Sequence, residues 1–305
     1  MQGNVYNENN EYVQSANTLF HFMNRLDYLV NAIERKALVP RYCKEDISYL
    51  DINVDGIETN EVAILQKCFC DMPFHSLSNS YSVNINMEDL MGLSTEEERE
   101  ACSYDSHPSF YGKYAIAFSK KWGEQKKLQP VYYINTNSET LDSRKAFLKY
   151  AFSLEDLPTE IYERVVSDIS FIKPLRGKMS RRLSSGKEIH FDKNFHDEKE
   201  WRYVPESEIL NNKKLDKIMV NPSLVGEYVQ VNEQLESNDY EEIWLKFEYE
   251  DIKYIIVSNK NDRLELINYI CEMSEDKFEK KYPVKEQKLL LISKILVLDE
   301  IRGDW

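Results

Sequence analysis

Residues 18–33, TLFHFMNRLDYLVNAI, decide the fold class. TLFHF is rich in aromatic and β-branched residues and reads as a short strand. Leu26, Leu29, Val30 and Ile33 then recur at the i, i+3, i+4, i+7 spacing of a helix with one buried face. A strand running straight into an amphipathic helix is therefore the first unit. Before it, residues 1–16 hold almost no large aliphatic side chains and are expected to form a flexible arm. Residues 17–305 are expected to form a single domain.

Further along, residues 39–47 (VPRYCKEDI) are polar and proline-interrupted, as expected of a loop. Residues 62–70 (VAILQKCFC) read as a buried strand that ends at Pro73, which cannot donate to a ladder. Residues 76–108 read as a helical excursion from the core, with a solvated acidic helix around 95–100. Strands are expected at 114–119, 131–134, 200–204, 217–220, 243–249 and 254–258. Helices are expected at 120–129, 141–154, from Pro158 onward, and at 262–273. Strands and helices intersperse without a regular βαβ period, which makes the class α+β rather than a doubly wound sheet.

The chain carries 39 Lys and Arg against 53 Asp and Glu, a net charge of −14. Such a surface repels phosphate backbones, so broad nucleic-acid binding is disfavoured unless a small basic site overrides it. Five cysteines without paired CxxC knuckles are expected to be reduced thiols rather than zinc ligands. The polar, acidic start lacks the features of a signal or transit peptide, and no run approaches the roughly 18 apolar residues of a membrane span. A cytoplasmic location is the expectation. GxxxxGK[ST] and GxGxxG are both missing from the sequence.

Six motifs stand in order: Leu19-Phe20-His21-Phe22; Pro40-Arg41-Tyr42 with Glu45-Asp46; Cys68-Phe69-Cys70-Asp71-Met72-Pro73; Tyr111-Gly112-Lys113-Tyr114; Pro130-Val131-Tyr132-Tyr133; and Asp197-Glu198-Lys199-Glu200-Trp201-Arg202-Tyr203. Over about residues 18–260 they resemble the AbiGi family of abortive phage resistance proteins. More distantly, their order is similar to ADP-ribosyltransferase-like domains, which implies mixed and antiparallel sheets with peripheral helices.

That wider resemblance implies a toxin-like enzyme moving ADP-ribose from NAD to a protein or RNA acceptor. Breaking the nicotinamide glycosidic bond passes through an oxocarbenium-like state that a carboxylate stabilises. Glu200 takes that role by resemblance, and Glu198, two residues earlier on the same strand face, would prepare the acceptor. His21 would bind the ribose, and Arg41 with Tyr42 would clamp the diphosphate. Tyr111 or Tyr114 would stack on the nicotinamide. One departure is Met23, which stands where such sequences carry Thr or Ser. No metal is expected.

The bland reading of Glu198 and Glu200 is a salt-bridged strand end beside Lys199 and Arg202. The bland reading of His21 is a structural histidine bonded to a backbone carbonyl. Residues 173–187 (KPLRGKMSRRLSSGK) form a basic run without an acid, expected to be an exposed, poorly ordered loop. In the functional reading its Lys173, Arg176, Lys178, Arg181 and Arg182 guide the acceptor. The histidine–aspartate pairs His196-Asp197 and His190-x-Asp192 lack the further ligands of a two-metal phosphohydrolase. The alternative function is an inactive antitoxin, a protein-binding module partnered with a toxin, which is where the AbiGi label points.

Overall fold

The computed structural model describes residues 15–303 apart from 55, 81–83, 155 and 221. Residues 1–14 of the expected arm lie outside the described residues. Among the described residues, nine strands build the main sheet: β1 (Leu19–Met23), β2 (Arg41–Asp46), β3 (Glu61–Asp71), β4 (Tyr114–Phe118), β5 (Gln129–Pro130), β6 (Glu200–Tyr203), β7 (Ile218–Met219), β8 (Ile252–Val257) and β9 (Ile295–Val297). Their order is β9-β8-β4-β1-β3-β6-β5, with β2 and β7 paired to the first half of β3. Every pair is antiparallel except β8 with β9. This is an α+β architecture with a mixed sheet.

The long strand β3 explains why the sequence shows an unbroken apolar run rather than alternation. Val62 and Ile64 pack beneath the helices Glu139–Phe152 and Thr159–Phe171. Ala63 and Leu65 pack on the other face with Tyr42, Leu210 and Trp244. Farther along, Phe69 enters the largest core with Leu29, Ile33, Ile116 and Phe118, while Cys70 joins Phe20 and Met72. A strand covered on both faces has no solvent side to encode. The first helix, Leu26–Arg35, presents Leu29, Ala32 and Ile33 to the large core, as its spacing predicts, and stops at a left-handed Lys36.

Two expectations are corrected. Residues 39–47 are not a loop, because Arg41–Asp46 ladders along β3 from Arg41↔Gln66 to Asp46↔Glu61. Pro40 merely precedes the strand, a position that needs no donor. The basic run is likewise ordered. Ile172–Pro174 pairs in parallel with Tyr132–Ile134, and Arg176–Arg182 forms a hairpin with Glu188–Asn194. Exposed Arg176, Lys178 and Arg182 alternate with half-buried Gly177, Met179 and Arg181. Lys178 faces Asp192 and Arg182 faces Glu188 across the ladder, and opposite charges so placed stabilise a pair of strands. The excursion, with helices Met87–Met91, Thr95–Cys102 and His107–Tyr111, covers this hairpin. Ala101 and Phe110 meet Leu183, Ile189 and Phe191 there.

The hairpin amides that face the partner strand are therefore expected to exchange slowly. Hydrogen-exchange mass spectrometry of this segment checks it, and unprotected exchange across 176–194 would refute the ladder.

Among the described residues, no helix is long and apolar enough to cross a membrane.

Candidate functional site

The chemistry-bearing residues gather where β6 begins. Residues Phe195–Glu198 form one 3-10 turn, Lys199 turns left-handed (φ 44°), and only then does the strand start at Glu200. The expected alternation of Glu198 and Glu200 on one strand face is thus broken by Lys199. Both carboxylates nevertheless converge on one ammonium: Lys173 Nζ lies 3.0 Å from Glu198 Oε2 and 3.1 Å from Glu200 Oε2.

Arg202 holds Glu200 from the other side, with Nε 2.7 Å from Oε1 and Nη2 3.1 Å from Oε2. Being two residues from Glu200 on one strand, it shares that face. Its remaining donors reach Glu45 Oε1 on β2 at 2.9 Å and the Ser170 carbonyl at 2.8 Å. Gln66 also donates to Glu45 Oε1, at 2.9 Å. The Tyr111 hydroxyl donates to Glu198 Oε1, and the Glu200 amide donates to Tyr133 Oη at 2.8 Å. Glu198, Glu200 and Arg202 expose only 5%, 6% and 1% of their surface, so this is a buried network.

Burial alone would push the Glu200 carboxyl up. The adjacent Arg202 and Lys173 overcome it and, with a hydrogen bond from the Cys68 thiol, hold it well below the usual carboxylate range. Lys173 shows the mirror image: burial opposes its charge, but Glu200 and Glu198 keep it well above the ordinary ammonium value. The Tyr111 hydroxyl is driven upward by burial and then by Glu198, so it stays a neutral donor. Three carboxylates, Glu45, Glu198 and Glu200, thus share two cations, and every acceptor of Glu200 is engaged. The network ties β2, β3, β6, the Ile172–Pro174 strand and the helix ending at Phe171 to one another.

The other residues named by sequence scatter. Cys70 lies between Phe20 of β1 and Glu200 of β6, so these three side chains share one face of the sheet. His21 takes the opposite face with Ile116 and Phe69, its ring 5.6 Å from that of Phe69. Its Nδ1 donates to the Cys68 carbonyl at 2.8 Å, and burial with the nearby Lys67 lowers it to about 3, so the ring is neutral. The expected convergence of His21 and Glu200 across one cleft is corrected: strand alternation separates them. Tyr114 is on the His21 face and donates to Asp262 Oδ2 at 2.8 Å.

Tyr42 is 1% exposed, packed in the core with its amide bonded to Asn232 Oδ1, which leaves no surface for a diphosphate. Arg41 pairs with Glu236 Oε1 at 2.7 Å at the sheet margin. Lys173 is a buried structural cation rather than an acceptor guide. Arg176, Lys178 and Arg182 lie on the exposed hairpin face, and Arg181 donates to the Phe110 carbonyl at 2.9 Å. Of the expected site, Glu198, Glu200, Tyr111 and Lys173 come together. Glu45, Tyr133 and Cys68 join them unannounced, because their contacts cross 67 to 157 positions of chain. Arg202 alone carried a local signal. A cavity of about 550 Å³ opens beside Glu198, walled by Tyr104, His107, Phe110, Phe191 and Lys193, and Glu200 does not line it. Among the described residues, no group of three or more His, Cys, Asp or Glu could hold a metal ion.

Fold and site together define an α+β protein with its acidic pair locked inside a charge network at the head of a central strand. A protein-family model described as abortive phage resistance protein AbiGi, antitoxin, matches residues 101–258. The chain is also 30% identical over 277 residues to the abortive phage resistance protein AbiGi of Lactococcus lactis subsp. cremoris, covering 88% of this chain and 100% of that one. It belongs to the AbiGi family. No solved structure matches it, so the wider likeness to ADP-ribosyltransferases keeps only the sequence motifs behind it.

Proposed function

We propose that this chain acts in abortive phage resistance as the antitoxin of a toxin-antitoxin pair, by binding its toxin rather than by chemistry of its own. The observation that carries this reading is the state of Glu200. A carboxylate that stabilises an oxocarbenium-like state must turn uncompensated negative charge toward a substrate. Glu200 instead spends both oxygens on Arg202 and Lys173 behind a 6% exposed surface. The antitoxin description of the family model supports the same reading.

The test is co-expression. The gene neighbouring this one, induced alone, is expected to arrest growth, and adding this chain is expected to restore it. Expressed alone, this chain should leave both growth and cellular NAD unchanged. Growth arrest with NAD depletion by this chain alone would replace the antitoxin with a transferase moving ADP-ribose to protein or RNA.

A further inference from the structure

The helices Glu139–Phe152 and Thr159–Phe171 share the core over Val62 and Ile64, and a groove of about 480 Å³ lies between them. Thr140, Ser143, Arg144 and Phe147 line it from one face of the first helix, at the i, i+3, i+4, i+7 spacing. Arg164 and Asp168, four positions apart, line it from the second. Asp168 accepts from both arginines: Arg144 Nη1 donates to Oδ1 at 2.7 Å and Arg164 Nε to Oδ2 at 3.1 Å. Arg144 also lies over the Tyr132 ring, its guanidinium carbon 5.1 Å from the ring centre.

Arg144 is only half used. Asp168 is its one hydrogen-bond partner among the described residues, and its Nε is buried with no acceptor. Nε and Nη2 form the edge of a guanidinium that grips a carboxylate through two parallel bonds. A charged donor left unpaired in the wall of a groove is destabilising, and an acceptor brought in by a ligand removes that penalty. The side chain is 25% exposed, so an incoming group can reach this edge.

Charge selects the acceptor. Two guanidiniums against Asp168 leave one positive charge, and exposed Glu139, which also lines the groove, makes no ion pair among the described residues. A phosphate dianion would meet two carboxylates with one spare cation to hold it, whereas a single carboxylate balances the excess. The surroundings select its source. Tyr132 and Tyr150, the latter three positions beyond Phe147, are exposed, and exposed tyrosines around an arginine are the composition of protein-interface centres. Elsewhere a chain of net charge −14 repels acidic groups, so a groove that accepts one fixes where an acidic side chain docks.

We propose that this groove receives an Asp or Glu side chain of the toxin, held by the Nε and Nη2 edge of Arg144 with Arg164 beside it. The proposal rests on the antitoxin reading and supplies the surface through which that reading works. Asp168 is the positioning residue that holds both arginines in place.

Isothermal titration calorimetry of the full chain with the purified product of the neighbouring gene tests it. Arg144→Lys keeps the charge and loses the fork, and it is expected to weaken binding at least about tenfold, the loss typical of one hydrogen bond to a charged group. Lys285→Met, at an exposed position on another helix, should change nothing. Changing each Asp and Glu of the toxin to Asn or Gln should find one whose loss matches that of Arg144→Lys and is not deepened by it, as a double-mutant cycle requires of a direct pair. No binding by the parent ends the antitoxin reading and this proposal with it. Binding that Arg144→Lys leaves undiminished, or that couples Arg144 to no toxin carboxylate, overturns the proposal alone. Should Arg144→Lys fail to fold, Ser143→Trp decides, because Ser143 is exposed and the added ring fills the groove without entering the core. Undiminished binding by that variant overturns the proposal, and so does a parent dimer that Ser143→Trp turns into a monomer, which would give the groove to a second copy.

Discussion

Arg202→Met is expected to destabilise the protein by about 3–5 kcal/mol, the range found when one partner of a buried ion pair is removed. Arg202 is 1% exposed and supplies four hydrogen bonds, to both oxygens of Glu200, to Glu45 and to the Ser170 carbonyl. Methionine fills a similar volume but leaves the three carboxylates to one cation, Lys173, with Glu45 losing its ion pair altogether. The loss should also change the acid limb of stability. Glu200 titrates lower in the folded chain than in the unfolded one, near 4.3. Its contribution is thus complete above the unfolded value and disappears as pH falls toward the folded one. Without Arg202 that acid dependence should flatten, because less separates the two states of Glu200. Urea unfolding of parent and variant between neutral and acid pH measures both effects. A cost below about 1 kcal/mol, the level of a surface pair, would show that the network adds nothing beyond exposed ion pairing. Glu200→Gln provides the companion measurement. Its cost should fall largely on stability, whereas a catalytic carboxylate would lose turnover with its fold intact.

The two misread stretches share one physical cause. RYCKED in β2 and RGKMSRR in the hairpin read as solvent-facing because their charges are dense. In the structure Glu45 meets Arg202, and Lys173, just before the hairpin, meets Glu198 and Glu200, all from elsewhere along the chain, while Lys178 stands opposite Asp192 in the ladder. Composition shows a charge but not its partner, and a charge with a partner can be buried. Apolar patterning carries no such ambiguity. Leu29 and Ile33 pack as their spacing requires, and the 62–65 run is buried on both faces. Glu200 was legible as a reactive residue type, but its role was not. The decisive neighbour, Lys173, comes from a separate parallel strand pair, and the face of His21 follows from a register that only the assembled sheet fixes.

Gly112→Ala is expected to cost about 3–5 kcal/mol, combining backbone strain with a steric clash. Gly112 ends the helix His107–Tyr111 at φ 124°, ψ 149°, a region that belongs almost wholly to glycine. A Cβ there would run into the carbonyl of Met23 and the amide of Asn24, at the end of β1. Both obstacles are backbone, so no side-chain rotation relieves them. The helix and the strand must separate, and Tyr111, the residue just before, would be drawn from Glu198. Two other glycines separate the contributions. Gly56 also has a positive φ, 78°, but nothing lies within 4 Å of its Cβ position, so Gly56→Ala isolates the strain at roughly 1 kcal/mol. Gly226 lies in the helix Pro222–Gln234 with open space around it, and Gly226→Ala should stabilise by up to about 1 kcal/mol. Equilibrium urea unfolding of the three variants ranks them. If Gly112→Ala costs no more than Gly56→Ala, the close approach of the Tyr111 turn to β1 is wrong, and the placement of Tyr111 on Glu198 fails with it.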